Sequence, residues 1–494
     1  MALTEAALGR VQELVPGSDG RYELAGFGRR QGWKDRIHTP STISSLHWSS
    51  RLGSDEEPTG PSGNLRAAPT GATRPGDMQV DRNRFLEEGY LVVPQVVPPE
   101  QLDRVRAAYE HLVACRRAIG SRDRKPDDPP GGAWEISAQP RLHLNRPPLA
   151  DQLDARAAAA VDVWLSEGAY RVSSDLLGVE DPGVTEMMLM CNPMRDHGPA
   201  PWHRDLHPID TAPLEGYIND IVEGGPRYIQ WNIPLYDDSV LWVLPCSHLR
   251  FNTDDENRRL LADPRVPLPG AVQTHLNAGD GVVYILPILH WGSNYSTRLR
   301  RTIHGGFSTF TLCSSDGFAE HLSDPAKSAF ERWSHRSAEL QNQTERALRA
   351  VIGGDPAGYL AALDRLHPGR GEKGRLLTTV FLCKAACFVQ ATRGPERPDV
   401  PDELLRRGAG AHAITLNWGP EFASRFSTAE AKVLWERFRP LDGLLRAEAE
   451  EFTPGFQSGP MRYRFNEMPA GYRVADFIAS WSGAVGEYGE RNGL

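Results

Sequence analysis

The sequence is short of several things, and each shortage excludes a class of protein. Its 494 residues include six cysteines, Cys115, Cys191, Cys246, Cys313, Cys383 and Cys387, none of them in a Cys-x-x-Cys pair. That argues against a disulfide scaffold or a cysteine zinc site. The thiols read as small buried hydrophobes, with Cys383 and Cys387 spaced for one helix face. No apolar run approaches membrane-spanning length, and the N-terminus lacks a charged stretch followed by an apolar one. A reducing cytoplasm, with no membrane contact, is the expectation. Dense Lys/Arg tracts are missing too; the net charge is -9, which speaks against a nucleic-acid surface. There is no internal repeat.

What is present is an ordinary globular composition, 40% apolar and 24% charged, on a chain long enough for two domains. Residues 1–80 are rich in Gly, Pro, Ser and Thr and read as an N-terminal extension, with a short amphipathic helix at Leu3–Leu14 and a flexible linker at Ser54–Asp77. Residues 81–315 open with a turn ending at Gly89, a short strand at Tyr90–Val93, and a helix begun by Pro98-Pro99. A helix is expected over Ala155–Leu177. Short strands with turn signals follow, and in Tyr228–Leu235 strict alternation puts Tyr228, Gln230 and Asn232 on one face. The acidic stretch Leu214–Gly225 between strands reads as a lid. Residues 316–494 are mostly helical, with helices at Ala338–Ile352, Tyr359–Leu366, Leu376–Thr392 and Thr428–Leu445. The fold class predicted is α+β: a double-stranded β-helix (jelly-roll) core with helices packed outside and a helical C-terminal region, either packed on the core or a small second domain.

One constellation carries chemistry. His203 and Asp205 are two apart, so on a strand both side chains point to one face. His290 arrives from a distant segment, Pro287–Trp291. Two imidazoles and a carboxylate are the facial donor set of non-haem iron(II) oxygenases, which leaves open positions for a co-substrate and dioxygen. Arg300, ten residues after His290, is a cation able to hold the far carboxylate of a chelating keto acid.

Assembled in order, these pieces resemble the phytanoyl-CoA dioxygenase family of iron(II)- and 2-oxoglutarate-dependent oxygenases over roughly Arg84 to Phe310. The lead-in Phe85–Pro94 comes first, then His203 and Asp205. The turn Leu241-Trp-Val-Leu-Pro-Cys-Ser-His248 follows, then a Gly-Asp strand, His290, Asn294-x-Ser296 and the arginine. The resemblance implies Fe(II) held by His203, Asp205 and His290, 2-oxoglutarate anchored by Arg300, dioxygen, and a small-molecule substrate hydroxylated or otherwise oxidised at C–H, in specialised biosynthesis. Asn232, Gln230 and Ser296, with Asn294, are candidate co-substrate contacts. His143 and His304 are candidate pocket residues, while His248 belongs to the turn. Two departures stand out. Cys246 replaces the family's Gly in the turn, and Arg301 beside Arg300 is an alternative anchor. Asp205 stands where family halogenases carry a small residue, which disfavours halogenation. Two other readings remain: a non-catalytic jelly-roll binding or assembly protein, and a cupin oxygenase that uses no keto acid. The oligomeric state has no sequence signal.

Overall fold

A computed structural model describes residues 14–16, 22–24, 80–146, 149–150, 153–310, 319–408, 413–456 and 461–489. The chain divides into two units, 1–72 and 73–494. In the first, Leu14–Pro16 pairs antiparallel with Tyr22–Leu24. The helix expected at Leu3–Leu14, apart from its last residue, and the linker at Ser54–Asp77 lie outside the described residues, as does Cys313.

The second unit is mixed α/β. Asp81 caps the helix Arg82–Glu88 by accepting from the Arg84 amide, and Gly89 ends it at φ 84°. The strands that matter follow in chain order: β1 (Tyr90–Val93), β2 (Arg141–His143), β3 (Gly183–Cys191), β4 (Gly198–Pro199) and β5 (Tyr228–Pro234). Then come β6 (Trp242–Val243), β7 (Val272–Gln273), β8 (Gly281–Ile285), β9 (His290–Trp291), β10 (Ser293–Asn294) and β11 (Arg301–Ser308). Six of them form one antiparallel sheet in the order β1-β8-β5-β11-β3-β2. The short strands β9-β6-β7 form another, β10 pairs with β4, and His203 bridges His290.

Register decides what each face of the large sheet is. His143 lies opposite Met188, Met188 opposite His304, and His304 opposite Asn232. The next row aligns Glu186, Gly306, Gln230 and Tyr284. These side chains share one polar face. The alternate residues, among them Leu189, Ile229, Trp231, Ile233, Val283 and Ile303, are fully buried in the main core with the N-terminal helices. Each such side chain contributes roughly 1.5–3 kcal/mol of burial, which fixes the register because a one-residue slip would invert the faces.

Several expectations are revised. The helix at Ala155–Leu177 is broken into short turns: Ser166 is extended (φ −67°, ψ 156°) and its hydroxyl caps the Ala169 amide, restarting the helix at Glu167. The lid at Leu214–Gly225 is a helix, Leu214–Gly224, clamped by the Arg227–Asp220 ion pair and packed on Glu372–Arg393. The segment beginning at Asp324 is one 30-residue helix to Gly353, capped by Ser323 and ended by Gly354. Its first half joins the main core through Phe330 and Trp333, so the C-terminal helices pack on the sheet unit. Glu372–Arg393, 22 residues, is long and apolar enough to cross a membrane, contrary to the expectation of no such run, but 89% of its most apolar window is buried inside the protein. It is the hub of a second core that includes Leu206, Leu214, Phe438 and Phe477.

The turn at residues 245–248 interlocks with the lead-in. His248 is fully buried, its Nε2–H donating to the Leu86 carbonyl at 2.9 Å, and a Cβ on Gly89 would lie 2.4 Å from its Nδ1. Cys246 takes the left-handed conformation (φ 62°) in which the family's glycine would be unstrained. The turn is therefore retained and the strain carried by the cysteine. Cys246→Gly should raise stability by about 1 kcal/mol, read as a higher unfolding midpoint. Burial, with Arg204 adding and the Leu86 carbonyl opposing, pushes the His248 pKa down from 6.5 to about 4. Between those two values the unfolded chain holds a proton that the folded chain lacks, so stability falls as pH drops through the window, by roughly 3 kcal/mol in full. Urea midpoints at pH 7 and pH 4.5 should converge for His248→Gln relative to the parent protein.

Candidate metal centre

His203 and His290 face each other through paired backbone bonds, each amide donating to the other's carbonyl at 3.0 Å. The pairing brings the imidazoles to 4.5 Å between centroids. Asp205 completes the group: its Oδ1 is 3.4 Å from His203 Nε2 and its Oδ2 3.3 Å from His290 Nε2. All three donor atoms lie within 4.8 Å of one another. The other ring nitrogens are committed to backbone, His203 Nδ1 to Pro201 O at 2.8 Å and His290 Nδ1 to Ile288 O at 3.1 Å. Those Nδ1–H bonds fix the tautomer, so both Nε2 lone pairs converge with the carboxylate. Burial alone would raise the Asp205 pKa, but imidazoles protonated at Nε2 hold it well below the usual carboxylate range, and a metal would take the place of those protons. The donor set, two neutral nitrogens and one ionised oxygen on one side, fits a divalent transition metal with open positions opposite.

The supports are specific. Gln230 donates to Asp205 Oδ2 at 2.8 Å and to the Tyr284 hydroxyl at 2.7 Å, and its carbonyl accepts from Tyr228 at 3.1 Å. Both amide hydrogens of Gln230, expected as a co-substrate contact, are thus bonded here, one of them to the Asp205 carboxylate. Trp202 and Trp291, each next to a ligand, stack at 5.4 Å behind the site. Between the ligands, the Arg204 guanidinium is fully buried. It donates to Ser247 O at 2.6 Å, Asn252 Oδ1 at 2.9 Å, and the Pro287 and Arg250 carbonyls.

The triad opens on a cavity of about 1020 Å³. Arg300 lines it, with Nε bonded to Asp238 at 2.8 Å, which leaves its terminal nitrogens for a ligand. Burial opposes ionisation of Asp238, but Arg300 holds its pKa down. Arg301 turns to the other face and pairs with Glu110 at 2.8 Å. Asn232 and His304 line the cavity, bonded to one another at 2.6 Å. Burial first and Arg141 next push the His304 pKa down to about 4, so it is neutral at pH 7. His143, also lining, lies 3.1 Å from Glu186. Asn294 reaches the cavity. Ser296 is not among its lining residues and sits on an outer turn, its amide bonded to Asp196.

Sequence reasoning missed Tyr284, Asp238, Arg141, Arg407, Ile414 and Phe456. Tyr284 was accessible from the alternation of its strand, opposite Gln230. The last three come from the C-terminal region, and only tertiary packing brings them to the cavity.

Residues 85–302 match the family model described as phytanoyl-CoA dioxygenase (PhyH). No curated protein matches the sequence. Among solved structures, AviO1 from Streptomyces viridochromogenes Tue57 is 22% identical, with 46% of this chain and 92% of that chain covered and a TM-score of 0.32. EvdO2 from Micromonospora carbonacea var. aurantiaca, complexed with 2-oxoglutarate, is 19% identical over 48% and 92%, TM-score 0.29. The epimerase SnoN from nogalamycin biosynthesis, in complex with Fe3+ and alpha ketoglutarate, is 17% identical over 46% and 81%, TM-score 0.27.

Replacing Gln230 with Leu, which frees Asp205 and leaves the fold's apolar face untouched, should weaken metal binding about 10- to 100-fold in a cobalt(II) titration.

Proposed function

We propose that this protein, whose residues 85–302 match the phytanoyl-CoA dioxygenase family model, is an iron(II)- and 2-oxoglutarate-dependent dioxygenase that hydroxylates a small metabolite in specialised biosynthesis. The two sheets are its double-stranded β-helix. The observation that carries the reading is a convergent His203–Asp205–His290 donor set in a cavity that also receives Arg300. When bound, the iron and keto acid supply dioxygen activation coupled to decarboxylation, leaving succinate and removing hydrogen from a substrate C–H bond.

This chain's residues do the rest. His203, Asp205 and His290 hold the metal, and Gln230 keeps the carboxylate turned toward it. Arg300 pairs with the far carboxylate of 2-oxoglutarate, with Asp238 fixing the plane of its fork. The ionised Asp238 behind it does not compete for the terminal nitrogens. Asn232 contributes a polar contact beside the co-substrate, oriented by neutral His304. Tyr284, whose burial raises its pKa, stays protonated next to the His290 ring. The volume left beyond a keto acid suits a drug-sized substrate. The free thiols Cys115, Cys191, Cys383 and Cys387 fit a reducing cytoplasm.

The test is anaerobic. Iron(II) followed by 2-oxoglutarate should give the weak visible charge-transfer band of a chelated keto acid. His203→Ala should abolish it. Arg300→Ala should demand at least tenfold more 2-oxoglutarate, the equivalent of about 1.4 kcal/mol or more for a lost charge pair, and Arg301→Ala should leave the demand unchanged. A band insensitive to Arg300→Ala would point to a keto-acid-independent site, and no band in the parent protein would refute the assignment.

A further inference from the structure

The extended segment His203–Asp205 has two backbone edges, and His290 pairs with one of them. On the other edge runs a segment from the far end of the chain, well beyond residue 302 where the family match stops. The Arg204 amide donates to Gly455 O at 2.8 Å, and Arg204 pairs with Phe456 as a parallel bridge. Asn252 locks the junction: its Nδ2 donates to Pro454 O at 2.9 Å while its Oδ1 accepts from the Arg204 guanidinium at 2.9 Å. Gly455 sits at φ +86°, and a Cβ there would come within 3.2 Å of Leu289 and 3.3 Å of Asn252. The segment therefore lies against the residue that precedes His290. Phe456 is buried, packs on Phe465 at 5.7 Å and lines the cavity. Behind it, the amides of Leu214 and Glu215 donate to Phe465 O and Asn466 O at 2.8 Å, tying the same stretch to the helix Leu214–Gly224.

A metal centre tolerates ligand displacements of only about 0.2 Å. The Arg204 guanidinium anchors the middle of the segment His203–Asp205. With His290 as its one backbone neighbour, the segment's other edge would be open, and a twist about the paired edge moves His203 and Asp205 relative to one another. We propose that the C-terminal segment Pro454–Phe456 is a positioning element of the metal centre: by pairing with Arg204 it holds His203 and Asp205 in ligating geometry, so metal affinity depends on a part of the chain outside the family domain. This rests on the oxygenase reading only in taking the triad as a metal site.

The probe is cobalt(II) alone, added anaerobically, with affinity read by competition against a chelator and geometry by the visible d–d spectrum. Gly455→Val, which must leave the left-handed conformation and move off Leu289 and Asn252, is expected to bind cobalt at least tenfold more weakly with an altered d–d envelope. Phe452→Ala, an exposed position three residues upstream, is expected to match the parent protein in both. Thermal unfolding of each variant reports whether the fold is kept. Should Gly455→Val fail to fold, Gly455→Ala and Asn252→Ala carry the test, with a loss of at least threefold and the same spectral change expected. Folded variants that bind cobalt with the parent's affinity and spectrum would overturn the inference while leaving the oxygenase reading standing. A parent protein that takes up no cobalt would refute both.

Discussion

The structure around the His203–Asp205–His290 group depends on one buried guanidinium. Arg204 alternates with His203 and Asp205, so when they face the cavity it must face inward. It meets there no carboxylate but a ring of backbone and amide oxygens from residues 247, 250, 252 and 287. Burial pulls its pKa down to about 9, assisted by Arg250, which still leaves it charged at neutral pH. Removing a charge from water costs several kcal/mol unless its donors are met, and here four oxygens meet the two terminal nitrogens while Nε is left without a partner. The cation thus ties the turn at 245–248, the approach to His290 and the loop at Asn252 to the ligand strand. A neutral residue there would leave that ring of acceptors without its donor.

How much of this was legible follows the same logic. That His203, Asp205 and His290 come together was readable because a facial donor set asks for residue type and spacing together, and their donor atoms lie within 4.8 Å of one another. The polar face holding Gln230 and Asn232 was readable from alternation in Tyr228–Leu235. Which of two adjacent arginines enters the cavity depends on register: Arg301 lies opposite Cys191, with its guanidinium turned to Glu110, and that pairing leaves Arg300 on the cavity side. The bonds of Gln230 were not readable because its neighbour Tyr284 comes from a strand 54 residues away. Arg204 looked like filler between ligands, since one sequence cannot reveal which side of a strand has oxygens waiting.

Larger misreadings have a common cause. A helix period persists across Ala155–Leu177, but Ser166 spends its hydroxyl on a cap and breaks the run. The acidic stretch Leu214–Gly225, which reads as a lid, is for Leu214–Gly224 a helix with Asp220 paired to buried Arg227 and Arg370. No apolar run of spanning length stood out in the sequence, yet Glu372–Arg393 is long and apolar enough for one and serves as the central rod of the second core. In each case a tertiary partner, absent from the local sequence, decides the outcome.

The pairing of Asn252 with Pro454 spans 202 residues of sequence. Closing a loop of that size costs about 4 to 5 kcal/mol of chain entropy before any contact repays it. During synthesis the sheet could form from residues 90–308 long before the last edge of the ligand strand leaves the ribosome. The centre is therefore finished late. A nascent chain that stops short of residue 454 would display His203, Asp205 and His290 with one backbone neighbour missing, so the order of emergence from N- to C-terminus itself postpones full assembly until residues 454–456 are made.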